Sequence, residues 1–244
     1  MNRTILFRAI FYILGLLFLA LGLTLNTKAG LGVSAIISVA YSISLIFDLN
    51  FGNVTLGLYT VFVLGEMVLH LLTVRKRRKH SDAALSHASR KSLKFILLTD
   101  FLQIPLSLIF TRFLNVFSDL LPQFYTEGDH SAIQMAVRVC VLLIAILLTG
   151  VGAAMSLNMR IIPNPGDGIV QAISDYIRKS VGFTKNCFDL VNITIAVTIS
   201  MIFAGELRGV GIGTVLAVVG VGRSIALFNH FAQEKMSVLA GVER

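Results

Sequence analysis

Glu66 and His70 stand four residues apart inside an apolar stretch, residues 54–74. On a helix that spacing puts both on one face, one turn apart. A carboxylate beside an imidazole can relay a proton, supply part of a metal site, or pack as a structural polar pair. There is no His-Glu-x-x-His, and two donors without a third or fourth do not specify zinc. A charge near the centre of a span costs about 2.5–3.5 kcal/mol on insertion scales, so each one asks for a partner or a role. Arg223 lies about 13 residues into the stretch 210–231. It requires an acidic partner, a carbonyl or water, unless it snorkels to the surface. Glu66 and Asp189 are the acidic candidates. Arg8, Asp100, Arg112, Arg138 and Asp189 fall within a few turns of a span end, where snorkelling is expected of Arg8 and Arg138.

Two glycine-containing breaks carry the rest of the chemistry. Gly32-Val33-Ser34 and Gly166-Asp167-Gly168 have the composition of helix N-termini. Ser34 suits an N-cap, and Asp167 suits a first turn. Buried within a membrane, such termini offer N–H groups to an anion. The same residues also describe ordinary capped loop turns. The expected site gathers Gly32, Ser34, Glu66, Gly166, Asp167 and Arg223 at one polar cavity where two short helices meet. There Ser34 and backbone N–H groups donate, Arg223 supplies fixed positive charge, and Asp167 tunes it. Gly209, Gly211, Gly213, Gly220 and Gly222 suit close helix packing. Cys140 and Cys187 are expected as buried small apolar residues rather than a disulfide or metal pair. No nucleophile elbow, phosphate loop or dinucleotide fingerprint is present, so no enzyme, metal or cofactor is expected.

The elements that would position these residues are membrane helices. Mean hydropathy is +0.82, and charged residues are only 14% of the 244. Six long apolar stretches occupy residues 5–25, 54–74, 95–117, 132–157, about 186–204 and 210–231. Most approach or exceed the roughly 20 residues that cross hydrocarbon as helix. A soluble core cannot absorb six of them. The expected fold class is all-α, a polytopic transmembrane bundle in a single membrane domain, 1–244. The first stretch is too long for a signal core and is expected to be retained. The net charge of +8 follows from basic residues flanking spans and meeting lipid headgroups, not from nucleic-acid binding.

Two further apolar segments, 33–47 and 169–177, are short. If both crossed, the basic run 75–79 and the other basic flanks would fall on opposite sides. If both enter and return, six spans remain. Then Arg3, the basic cytoplasmic loop 75–94, Arg160, Arg178, Lys179 and Lys235 share the inner side with both termini, the acidic link 119–129 lies outside, and Lys28 and Arg208, the latter beside Glu206, are the exceptions. A tilted crossing of one short segment is the rival. The order of breaks also repeats. Leu25-Asn26-Thr27-Lys28 answers Leu157-Asn158-Met159-Arg160, and Leu31-Gly32-Val33-Ser34 answers Pro165-Gly166-Asp167-Gly168. Residues 1–120 and 131–235 are thus expected as an inverted repeat with re-entrant or broken short helices.

The Leu31-Gly32-Val33-Ser34 and Pro165-Gly166-Asp167-Gly168 breaks, Leu102-Gln103-Ile104-Pro105, and Gly209-Val210-Gly211-Ile212-Gly213-Thr214 together resemble the YitT/YczE-type family of bacterial integral membrane proteins. The resemblance runs from about residue 10 to 228. It implies a multi-pass bacterial inner-membrane protein and brings no substrate. The first half has no match to Gly211-Ile212-Gly213-Thr214. The functional expectation is a secondary transporter or exporter of a small, anionic-type solute, with the lipid bilayer as its setting. The alternative is a non-transporting assembly or regulatory subunit that binds a membrane or cytoplasmic protein, its basic loop docking an acidic surface.

Overall fold

The computed structural model describes residues 3–78, 85–125 and 131–242. Residues 79–84 of the basic segment and 126–130 of the acidic link, Gly128 included, lie outside them. Nine α-helices are present in the described residues: α1 (Arg3–Ala29), α2 (Ala35–Ile46), α3 (Phe51–Arg78), α4 (Leu85–Leu120), α5 (Ala132–Asn158), α6 (Pro165–Ile177), α7 (Val181–Phe203), α8 (Ile212–Phe228) and α9 (Glu234–Ala240). A π-helical turn, Asn229–Gln233, joins α8 to α9. Six of the helical segments are long and apolar enough to cross a membrane. Their leucines, isoleucines and phenylalanines remain widely exposed, as a lipid-facing surface requires. The chain is a polytopic helical membrane protein. By contrast α2 has 12 residues and α6 has 13, about 18 and 20 Å at 1.5 Å per residue, short of the roughly 30 Å hydrocarbon core.

The chain forms two compact units. The larger contains α1, α2, α5, α8 and α9, with the ends of α3, α4 and α7. Its centre is the antiparallel packing of α1 on α5. Glycines let the backbones meet: a Cβ on Gly15 would lie 2.7 Å from the Ser156 N, and one on Gly22 would lie 2.5 Å from the Thr149 N. Each helix also caps the other. Arg8 of α1 donates to the Met159 and Arg160 carbonyls at the end of α5 (2.8 and 3.0 Å). Arg138 of α5 donates to the Ala29 and Gly30 carbonyls at the end of α1 (3.0 and 2.5 Å). These arginines therefore satisfy helix-terminal carbonyls that have no partner of their own, which is more specific than the expected snorkelling.

In the same unit the backbone before α2 is stitched to the loop before α8. Val33 N donates to the Gly209 carbonyl, and Gly213 N to the Leu31 carbonyl. Gly32 has φ +102°, and a Cβ there would fall 2.5 Å from the Gly211 N. The late glycine run thus serves a backbone crossing. Cys140 and Cys187 are both free and exposed. This corrects the expected burial: each sits on a face of its helix that the fold leaves uncovered.

The smaller unit is 56–109 with 162–188, so it holds most of α3 and α4 with α6 and the start of α7. Here α6 docks on α3. Ile169 reaches Gly65, where a Cβ would lie 3.3 Å from its Cδ1, and the Lys76 ammonium lies 5.3 Å from the Tyr176 ring centroid.

One register runs through the two helix series. Long, short and long helices follow in the order α1, α2, α3 and again α5, α6, α7. Helix α2 starts at Ala35 and α6 at Pro165; α3 starts at Phe51 and α7 at Val181. Each pair is 130 residues apart (165 − 35 and 181 − 51). Among the described residues, the non-glycine residues of positive φ are Asp48, Arg160 and Arg178. Asp48 and Arg178 are 130 apart, and Arg160 is 130 from Gly30, also of positive φ. The capping arginines, Arg8 and Arg138, keep the same interval. So do the carbonyls they hold, Ala29 with Met159 and Gly30 with Arg160.

Candidate functional site

The ionisable cluster of the smaller unit is built by two facing helices. Glu66 and His70 are one turn apart on α3, and Asp100 and Gln103 are three apart on α4. The His70 Nδ1 and the Asp100 Oδ2 are 2.8 Å apart. Gln103 Nε2 donates to the Glu66 Oε2 at 2.9 Å. Donor atoms of Glu66, His70 and Asp100 all lie within 4.8 Å of one another. Glu66 and Asp100 are each 3% exposed and Gln103 0%. The Gln103 Oε1 is buried with no hydrogen-bond partner. Pro105, two residues on, has no N–H to give the Phe101 carbonyl.

The first turn of α6 closes one side. Asn164 is its N-cap and accepts from Gly166 N at 3.1 Å, while its side chain also hydrogen-bonds Tyr59. Pro165 occupies the first helical position, where its missing N–H costs nothing. Gly168 then abuts the Glu66 carboxylate: a Cβ there would stand 2.5 Å from Oε2. Beyond His70, a cleft of about 250 Å³ is lined by Thr73, Lys76, Asp175, Tyr176 and Arg178. The Thr73 hydroxyl in its wall has no partner.

The expected site residues fall as follows. Glu66, Gly166 and Asp167 belong to the smaller unit, and Gly32, Ser34 and Arg223 to the larger. Ser34 is the N-cap of α2 but makes no side-chain capping bond. Asp167 is in the first turn of α6 and half-buried. Arg223 is exposed on α8. Glu66 is held by Gln103 rather than by an arginine. From the sequence Asp100 lies within a few turns of a span end and has no assigned partner. It becomes central because α4 begins at Leu85, well before the apolar stretch, which places Asp100 deep within a continuous helix. Gln103 stood in the Leu102-Gln103-Ile104-Pro105 element, but only the packing of α4 on α3 gives it a role. A further residue was missed in the larger unit. Asn26, near the end of α1, is 1% exposed, and neither Nδ2 nor Oδ1 has a partner.

No curated protein and no solved structure matches this chain. A family model matches residues 6–230, nearly its whole length, and the chain therefore belongs to DUF6198, a family of unknown function.

Proposed function

We propose that this protein is a secondary transporter of a small solute, built as an inverted repeat in a bacterial inner membrane with both termini cytoplasmic. The observation that carries the reading is the constant 130-residue register combined with the antiparallel packing of α1 and α5. Equivalent helices that run in opposite directions present equivalent segments to opposite faces of the bilayer. Helices α2 and α6, too short to cross, then enter and return from opposite sides. Discontinuous helices of that kind bring backbone N–H and C=O groups to membrane depth, where protein, water or ligand must satisfy them, and transporters place their solutes there.

Charge supports this arrangement. Six crossings put Arg3, Arg75, Lys76, Arg160, Arg178, Lys179 and Lys235 on one side, the side favoured for basic flanks. The N-termini of α2 and α6 favour an anionic group on the solute. Ser34 and Asp167 stand at those termini, each in its own unit. Asn26 offers a buried amide with a donor and an acceptor to spare.

The test is solute flux into proteoliposomes holding the purified full-length chain. The panel covers mono- and dicarboxylates, phosphate esters and neutral and cationic metabolites. Saturable, protein-dependent flux of one class is expected. A folded protein that moves no solute, while one protein partner copurifies through the basic loop, overturns the transport reading in favour of an assembly subunit.

A further inference from the structure

We infer that Glu66, His70, Asp100 and Gln103 form a binding site for a divalent first-row metal cation of the Mn²⁺ class. The site is made by α3 and α4 alone and stands apart from the transport reading. Three observations carry it. The first is donor geometry. Metal–ligand bonds of about 2.0–2.2 Å put donor atoms on one ion about 3–4.4 Å apart, and the three ionisable side chains offer donors within 4.8 Å of one another, so a small side-chain adjustment brings them onto one ion. The second is charge. Two carboxyl groups are buried at 3% exposure. Among the described residues no lysine or arginine pairs with Glu66 or Asp100. A protonated His70 balances one of the two carboxyl groups, whereas a divalent cation balances both and leaves the imidazole free to act as a ligand.

The third observation is independent of the acidic groups. Gln103 is fully buried, and its Oε1 has no partner. Its Nε2, on the same carbon, touches Glu66, so the free oxygen stands at the edge of the cluster. Rotating the carboxamide by half a turn exchanges donor for acceptor and presents oxygen to an ion. Two carboxylates, one imidazole and one amide oxygen make a set of mostly hard donors with a single nitrogen. That set suits manganese or ferrous iron better than calcium, and it lacks the thiolates of structural zinc sites. Gly168, lacking a side chain, lets the Glu66 carboxylate lie directly against the first turn of α6.

The experiment titrates Mn²⁺ into the full-length protein purified in detergent and records pulsed EPR on the bound ion. One Mn²⁺ per chain is expected, with a single imidazole nitrogen coupled to it and a thermal midpoint that rises with Mn²⁺ concentration. Glu66→Gln and Asp100→Asn should each weaken binding by more than about 100-fold, and Gln103→Leu by about tenfold, the range set by supporting groups. Zn²⁺ should compete more tightly, following the general affinity order. The site is overturned if the folded wild-type chain binds neither ion saturably, if bound Mn²⁺ shows no imidazole coupling, or if folded Glu66→Gln binds as wild type. The EPR measurement needs no variant, so a substitution that fails to fold leaves the test intact. Metal binding without solute flux would keep this site and sink the transporter; flux without metal binding would do the reverse.

Discussion

Asn26 is a buried amide whose two polar atoms have no partner, so its stability cost can be set against the proposed transport. An unpartnered buried amide costs about 1–3 kcal/mol, and both polar atoms of Asn26 are in that state. An apolar side chain of similar size removes the cost. We expect Asn26→Leu to stabilise the protein by about 1 kcal/mol, read as a higher thermal midpoint in detergent, while solute flux falls. A variant less stable than wild type would make Asn26 a structural residue. Gly168 gives a second case. A methyl there meets the far end of the flexible Glu66 side chain, not backbone. Gly168→Ala is therefore expected to keep its expression and thermal midpoint yet displace Glu66 from Gln103. Unchanged flux and unchanged Mn²⁺ affinity together would show that the position of Glu66 matters to neither. Glu66 and His70 were legible as a pair because helical spacing alone puts them on one face. Asp100 was not, because the contact to His70 spans 30 positions in the chain and depends on which face α4 turns toward α3.

At the scale of elements, the reciprocal caps on α1 and α5 make a paired prediction. Arg8 and Arg138 each fork onto two successive carbonyls of the other helix. Hydrogen bonds to charged groups contribute about 1.5–3 kcal/mol. Arg8→Ala and Arg138→Ala should therefore lower the unfolding midpoint by similar amounts, and lysine should restore only part of each loss, because an ammonium cannot reproduce the fork. Loss from one variant and none from the other would end the equivalence of the two caps. The count of elements was legible from hydropathy, since length separates the long helices from α2 and α6. Their register was not. Matching polar tetrads pairs Ser34 with the segment 165–168; by helix position Ser34 and Asn164 correspond, each being the N-cap of a short helix. Apolar residues interchange freely along a lipid-facing helix, so they carry no phase. The fixed points are left-handed residues, and an arginine at 160 or 178 does not announce that conformation.

For the whole molecule, the proposed inverted repeat turns on whether α2 and α6 return to opposite faces of the membrane. After α2 the chain turns at Asp48, and after α6 it turns at Arg178, both with positive φ. Leu49 N then bonds the Ser44 carbonyl, and Lys179 N bonds the Ser174 carbonyl, again 130 residues apart. The same two-residue turn thus carries an acid and an apolar residue, Asp48 and Leu49, in the first series, and two bases, Arg178 and Lys179, in the second. Basic residues favour the cytoplasmic side, so the proposed inversion expects Lys179 inside and Leu49 outside. The labelling test replaces Cys140 and Cys187 and introduces Leu49→Cys or Lys179→Cys, next to the left-handed residues so that the turns keep their conformation. With a membrane-impermeant thiol reagent on intact cells, Leu49→Cys is expected to label, and Lys179→Cys to label only after permeabilisation. Both labelling from outside, or both only after permeabilisation, would mean that the two turns share a face. The halves would then not be inverted, and the transport reading would lose the observation it rests on. The opposite result for both, Lys179→Cys outside and Leu49→Cys inside, would keep the inversion but reverse the orientation, leaving the basic residues on the wrong side.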